Sequence, residues 1–295
     1  MPGQLKEVRN RIQSVQSTQQ ITKAMKMVSA AKLRRAQDAI IQMRPYAQKL
    51  QEMLSNIVSG LEGDDINIKL AEERPAEKIL MIVITSDRGL AGAYNANIIK
   101  AAKQRISQKY AAQQAKGNIT IWNIGKKGWE SLSKAGYKTS DKYKDLFLSL
   151  SFEHVQKAAQ AAVTAFEKGE FDVVEIVYSQ FKNAATQHFI VEPFLPIPKV
   201  ESKEGTKKKN DFIFEPEKGK LIAELMPKIL NTQLYKATLD AQASEHGARM
   251  TAMDKASDNA NEILKNLKIS YNRARQAAIT TELTEIVSGA AALQG

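Results

Sequence analysis

The chain has 295 residues, with 43 Lys plus Arg against 32 Asp plus Glu, a formal charge of +11, and no cysteine. That length holds one large domain or two modest ones, and the missing thiols exclude disulfides, thiolate metal sites and cysteine nucleophiles. The positive balance points to a partner with a negative surface (nucleic acid, a membrane face or an acidic protein) or to solvated basic helix faces.

The opening segment "MPGQLKEVRNRI" is charged and amphipathic, unlike a signal peptide, and no stretch approaches 18 uncharged apolar residues. A soluble, intracellular chain is expected, with no membrane span. Between Leu5 and Leu61 the only proline is Pro45, and there is no glycine before Gly60. Apolar residues step by three and four at Leu5, Val8, Ile12 and Val15, then at Leu33, Ala36, Ile40, Met43, Ala47, Leu50, Leu54, Ile57 and Leu61. This is a heptad seam and predicts a helix of about 85 Å. Mid-way the seam positions fall on Gln19, Thr22, Lys26 and Ser29, while apolar residues move to Ile21, Met25 and Val28. The expectation is that the seam fails there and the stripe rotates toward a different partner.

The middle of the chain reads as alternating strands and helices. "ILMIVIT" (79–85), "NITIWNI" (118–124) and "DVVEIVYS" (172–179) are β-branched apolar runs suited to buried strands. Helical stretches lie between them at 95–114 and 152–169, which implies a parallel sheet in a doubly wound α/β domain. "HFIVEPFLPI" and "DFIFEP" carry prolines suited to edge strands, and "KVESKEGTKKKND" between them reads as a solvated loop.

From Lys218 helical patterning resumes and continues to the end. Met250, Met253, Ser257, Ala260, Leu264, Leu267, Tyr271, Ala274 and Ala278 form a second seam, interrupted only by Ser257. It predicts a second rod of about 100 Å. Two long helices at opposite ends of a chain most simply pair with each other, and the intervening domain makes the pair antiparallel. The expected fold is a long antiparallel two-helix coiled coil carrying a central doubly wound, Rossmann-like α/β domain. The divisions expected are 1–65, 66–217 and 218–295. After Glu285 the second helix has no ionisable side chain, an unusual end for a chain.

Candidate chemistry is sparse. "ITSDRGLAGAYNANI" (84–98) runs from strand through turns at Gly89 and Gly92 into a helix, the setting of phosphate loops. It lacks the P-loop and dinucleotide spacings, so the simpler expectation is a tight turn in which Asp87 or Asn95 caps helical N–H groups. "NIGKKGW" (123–129) fails the same tests, having no hydroxyl after its lysine pair. Glu282 and Glu285 share one face of a rod tip without a pocket, which favours a polar contact face over an active site. The three histidines, His154, His188 and His246, are too dispersed for a metal site. "AKLRRA" and "KAMK" resemble a basic region beside a zipper, but a zipper protein carries no α/β domain inside its coil.

Four blocks carry a resemblance: "RIQSVQSTQQITKAMKMVSAAKLRRAQ" (11–37), "TSDRGLAGAYN" (85–95), "SEHGARMTAMDKASDNANE" (244–262) and "ARQAAITTELTEIVSGAAAL" (274–293). In order and position they resemble the gamma subunits of bacterial F-type ATP synthases, over the whole chain. The resemblance implies a non-catalytic rotor. Its paired helices would pass up the axis of an alpha/beta hexamer, with the α/β domain below, beside the epsilon subunit, on a membrane ring of c subunits. It implies beta-subunit contacts at Lys23, Met25, Lys26, Arg249, Arg275, Gln276, Thr280, Glu282, Thr284 and Glu285. It also implies an apolar bearing tip at Ile286, Val287, Ala290, Ala291, Ala292 and Leu293. The family turn motif falls on Ser86, Asp87, Arg88, Gly89, Leu90, Gly92 and Asn95.

The implied location is peripheral, on the cytoplasmic face of the bacterial inner membrane, with no cofactor, metal, nucleic acid or small-molecule substrate. Ala91 replaces the cysteine usual in the family's turn motif, where a small apolar residue is expected to pack equivalently. The cysteine-pair insertion of chloroplast relatives is absent, and the start at the first helix favours a bacterial source over a mitochondrial precursor. Two other readings remain open on sequence alone. One is a nucleotide-binding enzyme with a dimerisation stalk; the other is a basic coiled-coil nucleic-acid binder.

Overall fold

A computed structural model describes residues 2–59, 69–184, 186–197 and 218–294. The chain divides into two compact units, Met1–Ser29 with Arg249–Gly295, and Ala30–Ala248. The expected boundary at 65/66 falls outside the described residues, and that at 217/218 falls at their edge. "DFIFEP", "KVESKEGTKKKND" and Leu61 also lie outside them, as do the side chains of Leu54 and Ile57.

The first unit is built from the start of α1 (Pro2–Ser59) and the end of α6 (Lys218–Gln294). Cross-helix contacts fix their direction. Arg9 meets Tyr271, Gln19 meets Asn261, Thr22 meets Ser257 and Lys26 meets Asp254. Numbers fall along α6 as they rise along α1, so the pair is antiparallel, as the seams imply. The seam itself does not break. Thr22 and Ser29 are buried at the positions where the heptad expects apolar residues, whereas Ile21 and Val28 are exposed. The correction has a plain cause: polar residues on the two helices meet one another, so burial continues without an apolar side chain.

The second unit holds a five-stranded sheet in the order β3-β2-β1-β4-β5. Its strands are β1 (Ile79–Ile84), β2 (Ile119–Ile124), β3 (Thr139–Ser140), β4 (Val173–Phe181) and β5 (Gln187–Leu195). The first four are parallel, and β5 runs antiparallel to β4 at the edge, where Pro193 is tolerated. β1 is buried along its whole length, as its unbroken apolar run requires of a strand covered on both faces. One face carries α5 (Phe152–Glu167) and the first part of α6. The other carries α2 (Tyr94–Lys109), which buries Tyr94, Ile98, Ala102 and Ile106 at helical spacing. In this unit α1 buries Leu33, Ala36, Ile40 and Leu50, continuing its heptad stripe.

The helix expected over 95–114 is two helices, α2 and α3 (Ala111–Ala115), divided at Tyr110. Tyr110 leaves the helical conformation with its ring buried and its hydroxyl donated to Glu175 Oε1 at 2.8 Å. A tertiary hydrogen bond overrides local propensity there. The short α4 (Lys126–Lys134) and two-residue β3 were not expected, because neither is long enough to show a period.

Where α6 crosses the end of β4, Asp240 is buried and its Oδ1 has no hydrogen-bond partner. Burial pushes its carboxyl up to about 6, against the charges of Lys236 and Arg44 and the N–H of Phe181, while Glu192 reinforces the rise. A carboxyl raised in the fold is stabilising when protonated. Its contribution is complete below the unfolded value of about 3.9 and is lost as pH rises through about 6. The expected loss is about 2–3 kcal/mol. Urea titrations of the native chain and Asp240→Asn between pH 4 and 7 read it directly. The difference between them should tilt toward the variant with rising pH, and parallel curves would contradict the assignment.

Candidate functional site: the helix seam, its outer stripe and the α6 tip

Along α1 the side chains alternate between the seam and an outer stripe. Thr22 and Ser29 face inward, while Ile21, Met27 and Val28 are exposed, together with Lys23. An exposed apolar stripe flanked by cations is a contact surface for an apolar, acidic partner. Of the residues expected to make such contacts, Met25 is half-buried and Lys26 is tied across the seam to Asp254 Oδ1 at 2.5 Å. Arg249 is buried rather than displayed.

The α6 tip differs from the rest of the helix. From Leu264 onward the seam side chains are only half-covered, and from Glu282 to Ala292 every side chain is exposed. Ile286 and Val287 are 68% and 66% exposed, and Leu283 and Ile279 are also displayed. Because the pair is antiparallel and α1 begins at Pro2, the tip extends past the end of its partner helix. The hydroxyls of Thr280, Thr281 and Thr284 donate to the carbonyls of Gln276, Ala277 and Thr280 at 2.8–2.9 Å. Their donors are thus consumed by the helix, leaving methyl groups to add to the apolar surface. Arg275, Gln276, Glu282 and Glu285 are exposed around it, and so are Ala290, Ala291 and Ala292; the Leu293 side chain lies outside the described ones.

The turn after β1 is closed around itself. Ser86 Oγ donates to the Arg88 carbonyl at 2.6 Å and accepts from Asn95 Nδ2 at 2.7 Å, while Asn95 Oδ1 accepts the Ser86 N–H at 3.0 Å. The left-handed residues are Leu90 and Gly92, not Gly89. Asp87 does cap a helix, but it is α4: its Oδ1 accepts the Lys126 N–H at 3.3 Å. The next two N–H groups of α4 go to the Ser86 carbonyl at 3.0 Å and Thr85 Oγ1 at 2.8 Å. Burial pushes the Asp87 carboxyl up, against the Lys126 N–H and charge. The donors that could cradle a phosphate at α4 are therefore occupied by Thr85, Ser86 and Asp87. Among the described residues no group of three or more potential ligands could hold a metal ion.

Comparison with known proteins bears on the whole chain. The ATP synthase family model matches residues 4–293. The ATP synthase gamma chain of Cytophaga hutchinsonii is 53% identical over 295 residues, covering 99% of both chains. Those of Flavobacterium psychrophilum and Chlorobium phaeobacteroides are 52% and 48% identical, again over 99% of both chains. The chain belongs to the ATP synthase gamma chain family. The gamma chain is a non-catalytic central-stalk subunit of its complex.

Solved structures share the fold at lower identity. A chain in the Euglena gracilis mitochondrial ATP synthase OSCP/F1/c-ring structure, rotational state 3, aligns with TM-score 0.66 at 20% identity, covering 99% of this chain and 95% of that one. One from the Tetrahymena thermophila mitochondrial central stalk and c-ring gives 0.56 at 24% identity, covering 80% and 99%.

Residues that sequence reasoning passed over are Asp254 and Asn261 on α6 and Thr85 at the end of β1. The first two were visible as polar residues three or four positions from Ser257. Thr85 gave no signal, because its partner Gly128 is 43 residues away.

Proposed function

We propose that this gamma chain is the rotor of a bacterial F-type ATP synthase, transmitting rotation of a membrane c-ring to an alpha/beta hexamer. The observation that carries the reading is the α6 tip: an uncharged helix end that extends past its own partner helix and displays Ile286 and Val287. Such a surface requires burial by other chains. Its lack of charge suits a turning contact, since ion pairs would favour particular angles. Related folds lie in assemblies described as rotor and central stalk with c-ring, which supports the same placement for this chain.

In this reading Arg275, Gln276, Thr280, Glu282, Thr284 and Glu285 grip beta below the tip, and Ile286 to Leu293 turn in an apolar collar. Lys23 on the outer stripe of α1 and the half-buried Met25 meet acidic surface on beta, whereas Lys26 acts mainly by holding the helix pair. The α/β unit sits with epsilon and the c-ring, placing the chain peripherally on the cytoplasmic face of the inner membrane. No helix among the described residues is long and apolar enough to cross a membrane. The closed turn at 85–95 gives no support to a nucleotide-binding enzyme.

Arg275→Ala with Gln276→Ala should reduce ATP-driven proton pumping of a reconstituted complex several-fold while the α/β unit keeps its unfolding transition. Normal hydrolysis and pumping in that double variant would remove those two residues from the grip.

A further inference from the structure

An antiparallel pair of heptad helices has a degeneracy. Sliding one helix by seven residues, about 10 Å, brings apolar layers back into contact with other apolar layers. Here Ile12, Val15, Ala260, Leu264 and Leu267 are broadly interchangeable in kind. Something must select one alignment among these.

The polar rungs of the first unit meet that need. Thr22 and Ser257 are 8% and 3% exposed, deep for hydroxyl residues in a two-helix seam, and their oxygens lie 2.7 Å apart. Gln19 Nε2 donates to Asn261 Oδ1 on one side of them, and Lys26 Nζ meets Asp254 Oδ1 on the other. Gln19, Thr22 and Lys26 are successive seam positions of α1, and on α6 Asn261 and Asp254 flank the seam residue Ser257 by four and three. Within the rung Thr22 Oγ1 also reaches the Gln19 carbonyl at 2.9 Å, and Ser257 Oγ reaches the Met253 carbonyl at 2.9 Å. Each hydroxyl has an acceptor on its own helix, but the 2.7 Å contact between the two oxygens forms only when the residues face each other. A slip of one heptad sets Thr22 against Leu264 or Met250, and in one direction sets Ser257 against Val15.

We infer that the Gln19–Asn261, Thr22–Ser257 and Lys26–Asp254 rungs are a register lock that holds the two helices in one axial alignment. Polar residues at seam positions lower stability relative to apolar ones, and specifying register is their best-attested use. The inference concerns this chain alone and does not depend on the rotor reading. If it holds, the set of side chains shown on the outer stripe at any height is fixed, because each face combines residues from both helices.

The cysteine-free chain allows a direct test by disulfide trapping. The full-length protein would carry Ile12→Cys with Leu267→Cys for the observed alignment, or with Ala260→Cys or Ala274→Cys for one-heptad slips. With native rungs, only the first pair should cross-link efficiently. In the background Gln19→Leu, Thr22→Val, Ser257→Ala and Asn261→Leu, slipped cross-links should rise roughly tenfold relative to the first, the order expected for two lost hydrogen-bonded rungs. Retention of the observed alignment alone in that background with Lys26→Asp added would overturn the lock and assign register to apolar packing. If the fourfold variant loses helicity, Thr22→Val with Ser257→Ala gives the same two outcomes on a smaller scale. A charge pair supplies an independent arm: Lys26→Asp should raise slipped products, and adding Asp254→Lys should suppress them again. No rescue by the reversed pair would exclude Lys26–Asp254 from the lock.

Discussion

Gly125→Ala is expected to lower the unfolding free energy of the α/β unit by about 4 kcal/mol, seen as a lower urea midpoint at unchanged m. Gly125 has φ 100° and ψ 137°, a conformation that L side chains rarely adopt. A Cβ there would also lie 2.2 Å from the Thr85 carbonyl oxygen and 2.7 Å from its carbon. That carbonyl belongs to the backbone where β1 ends, so it cannot swing aside as a flexible side chain would. Moving it would also disturb Thr85 Oγ1, which holds the Gly128 N–H. Left-handed strain and overpacking each cost roughly 1–3 kcal/mol, and here they fall on one atom. Gly89→Ala is the control. It lies in the facing turn, has no heavy atom within 4 Å of an added Cβ, and should change the midpoint little. Equal effects at both glycines would show that the close approach of the two turns is not what Gly125 serves.

The second large effect concerns Glu175, whose side chain is 2% exposed on β4. Arg105 Nε and Nη2 donate to its two oxygens at 2.9 and 2.6 Å, Tyr110 donates at 2.8 Å and Lys109 lies at 3.3 Å. Burial pushes the Glu175 carboxyl up, but the hydrogen bonds from Arg105 and Tyr110 and the charges of Arg105 and Lys109 outweigh it and hold the group below its ordinary value. A depressed carboxyl contributes stability above the unfolded value of about 4.3, and that contribution is lost as pH falls through the folded value. Arg105→Met should cost about 3 kcal/mol at neutral pH, the low end for breaking a buried pair, because Tyr110 and Lys109 remain. Arg105→Met with Glu175→Leu should recover most of the loss, since an apolar pair leaves no charge stranded. Urea unfolding of the two variants decides between a paired charge and a merely packed one. If the double variant is no more stable than Arg105→Met alone, packing dominates.

Much of the fold was legible because long periods are hard to mistake. The seams of α1 and α6 repeat over many turns, and β1, β2 and β4 are apolar runs bounded by turn residues. The sequence misleads at Gln19 to Ser29, where polarity reads as a break. Polarity reports exposure only where the facing residue is not polar as well, and Asn261, Ser257 and Asp254 lie over 200 residues away. The apolar α6 tip was readable from composition, because no side chain after Glu285 is ionisable. The α4 cap was not, since Thr85, Ser86 and Asp87 serve a helix beyond the next strand. Asp240 was invisible for a related reason: an acidic residue in a helix shows its isolation only once the surrounding sheet is in place.

The separation of the two seam strands along the chain sets an order of events during synthesis. Arg9 and Tyr271 are 262 residues apart. At ribosomal speeds of about 5–20 residues per second, the first helix waits roughly 13–50 s for its partner. The second unit is one continuous stretch, Ala30–Ala248, and can complete its contacts within that interval. The nascent chain therefore closes its sheet first and zips its ends last. During the wait the inward face of α1 is a single amphipathic stripe, the kind of surface that chaperones hold.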